Sequence, residues 1–206
     1  MGFFSGYKKK NELILVFNIG SSFVDGAFFE AQRSGIPKII FSYQEPIKIE
    51  KKVDIDRFLL STIKSLEIVV SKIYKAGIGA PSQIFCVLSS PWHISQTRII
   101  NFKKNTPFVF TEKLADELIK KEIKLFEGEY IQKYGNSDNK FRVIELKNIK
   151  MMLNGYETSD SLDKKTKELE IIIFISICGE QVLAKIEDTI GQYFHFKQMK
   201  FSSFAL

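Results

Sequence analysis

The sequence predicts an α/β protein built from two small subdomains that meet near Pro91. Three observations support this class. Apolar runs of strand length alternate with polar turns through the first 90 residues, three segments repeat apolar residues at helical spacing, and "ELEIIIFISIC" is rich in β-branched residues. With 206 residues, 45% of them hydrophobic and 26% charged, the chain is globular and suits one ordinary domain or two small ones.

The first part is predicted to run strand, strand, strand, helix, strand. The helix is expected from a cap at Asp56 to about Ala76, because apolar residues recur there at three- and four-residue steps. Gly77 and Gly79 follow and favour its termination. Apolar runs and alternation predict the strands at Leu13–Phe17, Phe23–Ala31, Lys38–Tyr43 and Ile84–Ser89.

The second part is predicted to run strand, helix, strand, strand, helix. Thr111 is expected to open the first of these helices, which runs to Phe126, and Glu112 favours the dipole of its first turn. A turn at Asn154-Gly155 interrupts the β segment "FRVIELKNIKMMLNGYE". The other elements are expected at Ile94–Phe102, in "ELEIIIFISIC" and at Gln181–Tyr193.

The charge balance argues against a nucleic-acid binder. Thirty Lys and Arg stand against 24 Asp and Glu, and the net charge of +6 is spread along the chain, as is typical of solvated faces. The sequence has no strand motif that combines aromatic and basic residues. Cys86 and Cys178 lie inside apolar runs without disulfide or metal spacing, so we expect buried thiols in a reducing cytoplasm.

The N-terminal segment "MGFFSGYKKKNE" matches no targeting pattern. It has no long apolar segment of a signal peptide, and Gly6 stands where myristoylation needs Ser or Thr. No apolar run approaches the roughly 20 residues that cross a bilayer, so we expect a soluble, cytoplasmic chain. Phe3, Phe4 and Lys8–Lys10 suit a peripheral contact with anionic lipid, and a frayed terminus is the alternative.

Motifs for catalysis are missing from the sequence. His93, in "SPWHIS", has no identifiable nucleophile or orienting acid, and His195 between two phenylalanines is interpreted as structural. Neither has partners at metal-ligand spacing. The sequence contains no G-x-x-x-x-G-K-[ST] and no G-x-G-x-x-G after a strand, so the chain is not a P-loop NTPase. We expect no catalytic residue and no metal site.

The segment "FNIGSSFVDG" is the one pattern with a binding chemistry. Backbone N–H groups of a Gly-Ser-Ser turn can cradle phosphate oxygens, and the hydroxyls of Ser21 and Ser22 add donors. Gly20 permits the close backbone approach that such a cradle needs. Hairpins with Gly-Ser turns are common, so an ordinary hairpin turn is the alternative interpretation.

This stretch resembles the first phosphate loop of the actin-like ATPase superfamily, in which a strand ends in Asp-x-Gly-[Ser/Thr]-[Ser/Thr] and a second strand returns. The resemblance is strongest to the bacterial FtsA and PilM type, which belong to cell division and to type IV pilus assembly. Three strands, a helix and a strand ending in "IFCVLSSPWHIS" are similar to the first subdomain of that family. The segments from "RIINF" through "MMLNGYE" to "EQVLAKIEDTIGQYF" resemble its inserted strand–helix–strand–strand module.

The resemblance implies a partial actin-like, ribonuclease H-like subdomain with a small α+β subdomain inserted in it. It divides the chain into an N-terminal tail, the first half of the actin-like subdomain, the inserted interaction subdomain and the start of a truncated strand, at residues 1–9, 10–92, 93–198 and 199–206. That last strand is expected in the middle of a sheet whose continuation is missing. An unpaired apolar edge at Phe201–Leu206 would then favour self-association.

In this family ATP with Mg²⁺ binds between two halves of the protein. The resemblance places the cofactor-binding positions at Asn18, Gly20, Ser21 and Ser22. Family members carry Asp at the position of Asn18, and PilM-like members often carry Lys at the position of Asp25. The other binding and catalytic motifs would lie beyond Leu206, so we expect no enzyme activity and no cofactor for this chain, and ATP with Mg²⁺ only where the second half is present.

The resemblance implies a component of a membrane-associated assembly, a type IV pilus or a divisome, at the inner face of the cell membrane. It would act through protein contacts of the inserted subdomain. The alternative is an actin-like ATPase whose site is completed by a missing C-terminal half. Partner contacts are expected on the polar face of the helix after Thr111, where an acidic segment would meet its lysines, Lys113, Lys120, Lys121 and Lys124.

Overall fold

The computed structural model describes residues 12–32, 34–48, 54–134, 140–158 and 162–204, which form nine strands and three helices in two sheets. In chain order the elements are β1 (Leu13–Ile19), β2 (Phe23–Glu30), β3 (Lys38–Pro46), α1 (Ile55–Lys75), β4 (Gln83–Leu88), β5 (Ile94–Val109), α2 (Glu112–Tyr134), β6 (Phe141–Leu153), β7 (Tyr156–Glu157), β8 (Lys165–Gly179), α3 (Glu180–Gly191) and β9 (Met199–Ser203). The predicted α/β fold class is confirmed.

The chain divides into two compact units. The first comprises the described residues up to Ser89 together with Ala184–Phe201, and the second comprises Ser90–Leu183 with the described residues from Ser202. The sequence predicts one inserted subdomain at residues 93–198. Most of α3 instead belongs to the first unit, because the chain returns to that unit after β8.

The five-stranded sheet of the first unit has the order β3-β2-β1-β4-β9. Strand β2 pairs antiparallel with both β1 and β3, and β1 pairs parallel with β4 on its other side. A three-stranded antiparallel meander with a parallel neighbour beside its first strand is the arrangement of a ribonuclease H-like half. The structure therefore agrees with the predicted partial actin-like subdomain.

Helix α1 covers one face of this sheet. Its N-cap is Asp54, whose Oδ1 accepts a hydrogen bond from the backbone N of Arg57 at 3.0 Å. Asp56, the predicted cap, lies in the first turn instead, where its charge favours the helix dipole. A Cβ at Gly26 would lie 2.5 Å from Ile73 Cδ1, so a glycine on β2 is what allows the helix to pack this closely.

The last strand is an edge strand among the described residues. Residues Met199–Ser203 form β9, which pairs with β4 at the edge of the five-stranded sheet, and its place in the middle of a longer sheet stays a prediction. Met199 is buried, and its Sδ lies 3.2 Å from Cys86 Sγ on β4. Of the predicted apolar edge at Phe201–Leu206, residues 205 and 206 lie outside the described residues, and Phe204 is exposed.

The second unit is a four-stranded antiparallel sheet of order β5-β8-β6-β7 with α2 on one face. Alternate residues of β8 are fully buried in its core: Ile171, Ile173, Ile175 and Ile177. Strand β5 extends to Val109 rather than to Phe102, because pairing with β8 resumes at Phe108 after an irregularity. Thr111 Oγ1 accepts a hydrogen bond from Leu114 N at 3.3 Å, which confirms it as the residue that opens α2.

The predicted turn at Asn154-Gly155 is confirmed. Both residues have left-handed backbones, with φ of 49° and 81°, which suit Asn and Gly between two paired strands. The Asn154 side chain also braces the turn, since its Oδ1 accepts hydrogen bonds from Thr166 Oγ1 at 2.9 Å and from Lys167 N at 3.0 Å. The two cysteines are free and buried, as expected.

Candidate functional site

The turn between β1 and β2 is held by its own backbone. The N–H of Gly20 donates to the carbonyl of Phe23 at 3.0 Å, and Ile47 N donates to the carbonyl of Ser22 at 2.8 Å. A Cβ at residue 20 would lie 2.9 Å from the Phe23 carbonyl oxygen, so the turn requires a glycine. The Gly20 N–H is therefore already engaged and is not a free donor for a phosphate oxygen.

The two serines of the turn are exposed. Within the described part of the chain, the hydroxyls of Ser21 and Ser22 have no hydrogen-bond partner. They are the donors of the predicted phosphate cradle that remain open to a ligand. The structure thus brings Asn18, Gly20, Ser21 and Ser22 to one end of the β1–β2 hairpin, as the sequence predicts.

Asn18 and Asp25 face each other across the hairpin. They are register partners, and Asn18 Nδ2 donates to Asp25 Oδ2 at 2.9 Å. Leu15, Phe17 and Ile19 are buried on one face of β1, so the side chain of Asn18 lies on the opposite, partly exposed face. Asn18 Oδ1 is buried and accepts no hydrogen bond from the described residues.

This arrangement fits a Mg²⁺–nucleotide poorly. Asn18 supplies a neutral amide where the resembling family supplies a carboxylate, and that amide is engaged with Asp25. The Asp25 carboxylate puts a negative charge beside the turn, where it opposes binding of a phosphate. The charge and the engaged donors of this hairpin favour a structural turn.

The four predicted partner-binding lysines of α2 are all exposed. At about 3.6 residues per turn, Lys113, Lys120 and Lys124 share one stripe of the helix, and Lys121 lies further round. Glu117 falls within the same stripe. This lysine face therefore carries mixed charge, with a positive excess toward its C-terminal half.

Sequence reasoning missed a polar network inside the second unit. His93 Nδ1 lies 2.8 Å from Ser95 Oγ, and the Ser95 hydroxyl lies 2.9 Å from Ser176 Oγ. Burial lowers the pKa of His93, and the charge of Glu145 works in the opposite direction. Ser176 has no exposed surface, so a substrate cannot reach its hydroxyl and the network links β5 to β8. No local signal reveals it, because Ser95 and Ser176 meet only through strand register.

Glu145 accepts several hydrogen bonds in this unit. Its Oε2 accepts hydrogen bonds from Ser203 N at 3.0 Å, from Ser203 Oγ at 2.5 Å and from Ser202 Oγ at 3.1 Å, and Lys147 Nζ lies 2.6 Å from Oε1. Burial acts to raise the pKa of Glu145, but the hydrogen bonds from Lys147, Ser203 and Ser202 outweigh it and lower that pKa to about 2. Glu145 is therefore an ionised structural anchor.

The described residues contain neither a metal cluster nor a membrane-spanning helix. No three or more His, Cys, Asp or Glu side chains there are placed to hold a metal ion. No helix in that part of the chain has the length and apolarity needed to cross a membrane.

No protein-family model and no curated protein sequence matches this chain. Among solved structures, it is similar to a PilM–PilN type IV pilus biogenesis complex, with 11% identity, 91% of this chain and 47% of that chain covered, and a TM-score of 0.44. A Bacteroides thetaiotaomicron protein with an actin-like ATPase fold is 10% identical over 96% of this chain and 54% of that chain, with a TM-score of 0.40.

A third similar structure is the PPX-GPPA enzyme of Aquifex aeolicus, at 15% identity over 38% of this chain and 27% of that chain, with a TM-score of 0.30. The chain thus spans between about a quarter and about a half of the length of these proteins.

Proposed function

We propose that this chain acts through protein–protein contacts, as an FtsA-like or PilM-like component of a membrane-associated pilus or division assembly, and that it does not hydrolyse ATP by itself. The observation that carries this proposal is the hydrogen bond between Asn18 and Asp25. In the family that this stretch resembles, a carboxylate at the position of Asn18 helps to organise the metal. Here Asn18 is a neutral amide hydrogen-bonded to the negatively charged Asp25. We therefore assign this hairpin a structural role and not a nucleotide-binding one.

The proposed contact surface is the lysine face of α2. Its four lysines are exposed, and the opposite side of the helix is occupied by the core of the second unit. An acidic partner segment would approach the C-terminal half of this face, where Lys120, Lys121 and Lys124 follow Glu117 and are all exposed. We place the assembly at the inner face of the cell membrane on the sequence resemblance alone.

Titration with Mg-ATP tests the first part of the proposal. We expect no saturable heat up to about 1 mM nucleotide, because the Gly20 N–H is engaged and Asp25 repels phosphate. Micromolar affinity would refute it and would favour an actin-like ATPase whose site is completed by residues outside this chain. The exposed hydroxyls of Ser21 and Ser22, which have no hydrogen-bond partner among the described residues, are the observation on which that second function rests.

Charge reversal tests the second part. The variant with Lys120→Glu, Lys121→Glu and Lys124→Glu is expected to fold normally, since exposed charges contribute little to stability. It should lose binding to the pilus or division proteins that the unaltered chain captures at low salt. A matched control reverses three exposed lysines elsewhere, Lys64, Lys165 and Lys185, with the same change in net charge. Equal loss in both variants would mean that general charge, and not this face, holds the partner.

A further inference from the structure

A concave pocket of about 490 Å³ opens on the first unit, where α1 ends and the chain passes from α3 to β9. Its volume lies in the range of small-ligand and side-chain binding sites. We call it the aromatic pocket, and it is lined by Ile73, Tyr74, Gly77, Gly79, Ala80, Pro81, Tyr193, Phe194 and His195. It is separate from the β1–β2 turn and from the lysine face of α2.

Three rings form one wall of the aromatic pocket. The ring centroid of Tyr74 lies 5.7 Å from that of Tyr193 and 5.7 Å from that of Phe194, both in edge-to-face geometry. Phe194 is 6% exposed and fixed from behind by Phe28, whereas Tyr74 is 55% exposed. A fixed aromatic base with an exposed tyrosine beside it is the surface on which a further ring stacks favourably.

Residues 77–81 contribute two glycines to the lining, and we call this segment the glycine wall. Gly77 and Gly79 adopt φ of 66° and 131°, which side-chain-bearing residues rarely adopt, and a Cβ at Gly77 would meet no atom within 4 Å. The backbone N–H groups of Gly79 and Ala80 donate no hydrogen bond to any described residue. Free N–H groups beside an apolar pocket are suited to the carbonyl groups of an extended peptide.

Two exposed lysines lie beside the pocket along the chain, and we call them its basic rim. Lys75 directly follows the lining residue Tyr74, and Lys197 lies two positions after the lining residue His195. Their Cα atoms therefore lie no more than about 4 and 8 Å from those of the two lining residues. The Glu12 carboxylate accepts a hydrogen bond from Ser82 Oγ, next to the lining residue Pro81, and Asp188 is exposed on α3.

We propose that the aromatic pocket binds a short segment of a partner protein in which an aromatic side chain is flanked by acidic residues. The aromatic ring of the peptide packs against Tyr74 and Phe194. The peptide's carbonyl groups accept hydrogen bonds from the N–H groups of Gly79 and Ala80, and its carboxylates pair with Lys75 and Lys197. Charge also excludes this chain's own "GFFSGYKKK" as the occupant, because its three lysines would be repelled by the rim. A membrane surface would need protruding rings, whereas Phe194 is recessed.

The test uses defined peptides and the full chain. The probe is an acetylated, amidated Asp-Glu-Phe-Glu-Asp, compared with Asp-Glu-Ala-Glu-Asp, with Lys-Arg-Phe-Arg-Lys and with the chain's own nine-residue "GFFSGYKKK". We expect amide NMR shifts at Gly77, Gly79 and Ala80 with the first peptide, and about tenfold weaker binding of the alanine peptide. The two basic peptides should not shift these amides.

Two pairs of variants locate the site. Tyr74→Ala should weaken the acidic aromatic peptide about tenfold, while Tyr156→Ala, which removes a tyrosine that is 78% exposed on the second unit, should leave binding unchanged. Because Tyr74→Ala also removes ring contacts within the protein, the double variant Lys75→Glu with Lys197→Glu provides a second test that leaves the lining residues unchanged. It should weaken binding several-fold at low salt, and Lys64→Glu on the same helix α1 should not.

Three results would overturn the proposal. The first is equal binding of the phenylalanine and alanine peptides, which would mean that charge alone, without the aromatic ring, accounts for the binding. The second is competition by "GFFSGYKKK", which would make the N-terminal segment the occupant. The third is binding to phosphatidylcholine–phosphatidylserine vesicles that Tyr74→Ala abolishes while the acidic peptide fails to bind, which would make the pocket a membrane contact. None of these outcomes depends on whether the chain binds ATP.

Discussion

Asn18 Nδ2 donates a hydrogen bond to Asp25 Oδ2 across the β1–β2 hairpin, at 2.9 Å, beside the turn that contains Gly20, Ser21 and Ser22. This hydrogen bond links the two strands of the hairpin. A carboxylate introduced at residue 18 would therefore lie beside the carboxylate of Asp25.

Asn18→Asp should destabilise the protein at neutral pH. Two carboxylates would stand about 3 Å apart, and we expect a loss of about 1–3 kcal/mol in the free energy of unfolding. The repulsion raises the folded-state pKa of one carboxyl above its unfolded value, so the loss is complete above that raised pKa and fades as the pH falls below it. Urea unfolding at pH 7 and at pH 4.5, followed by circular dichroism, measures both parts.

Asp25→Asn is the control for that experiment. It keeps the shape of the pair and removes the charge, so its effect on unfolding should not change between the two pH values. Equal stability of Asn18→Asp and the unaltered chain at pH 7 would mean that the hairpin opens to separate the two groups. A double variant of Asn18→Asp with Asp25→Lys should recover stability by pairing opposite charges.

Gly20→Ala should destabilise the turn. The new Cβ would lie 2.9 Å from the carbonyl oxygen of Phe23, which is backbone and cannot move without breaking the bond to the Gly20 N–H. We expect a loss of about 1–3 kcal/mol. The matched control is Gly128→Ala in α2, where a Cβ meets nothing within 4 Å and helix propensity should add about 0.5–1 kcal/mol. If the midpoints of urea unfolding of both variants shifted in the same direction, Gly20 would not be required by the turn.

Glu145→Gln should remove a pH-dependent source of stability. Hydrogen bonds lower the folded-state pKa of Glu145 to about 2, below its unfolded value near 4.5, so its contribution is fully present above about pH 4.5 and is lost as the pH falls toward 2. At pH 7 the variant should lose about 1–2 kcal/mol, because a charged acceptor for three donors becomes a neutral amide. The unfolding curves of variant and parent should converge on acidification, and a difference that stays constant from pH 7 to pH 3 would exclude this role.

Arg98→Ala should weaken the packing of α2 on β5. Arg98 Nε lies 2.6 Å from Glu122 Oε1, its two terminal nitrogens reach Glu129 at 2.9 and 2.8 Å, and its side chain is only 16% exposed. Removing it leaves Glu122, 14% exposed, without its cation, and we expect a loss of about 2 kcal/mol.

The control for Arg98 is the exposed ion pair of Lys103 with Glu168 in the same unit, whose side chains are 72% and 48% exposed. Lys103→Ala should change the unfolding free energy by less than about 0.5 kcal/mol. Comparable losses in the two variants would mean that burial does not distinguish these pairs. Fluorescence of Trp92, the one tryptophan of the chain, follows the second unit in both cases.

Much of the fold follows from local patterns. The three- and four-residue apolar spacing of α1, the isoleucine alternation of β8 and the Asn154-Gly155 turn each depend on neighbours within a few positions, so they are readable along the chain. The position of the N-cap of α1 is predicted two residues too late, because two neighbouring residues have the same side chain. Asp54 and Asp56 both suit a cap, and the carboxylate that reaches the N–H of Arg57 is the one that acts.

Long-range relationships were decided by which strand lies beside which. The sequence marks Gly20 as special, but only the β1–β2 register brings Asn18 to Asp25 and turns a candidate phosphate loop into a closed, negatively charged pair. The same holds for Ser95 with Ser176 and for β9 beside β4, which join residues about 80 and more than 100 positions apart. Backbone periodicity is a property of neighbours along the chain, whereas the partner of a side chain depends on strand pairing, which local spacing does not encode.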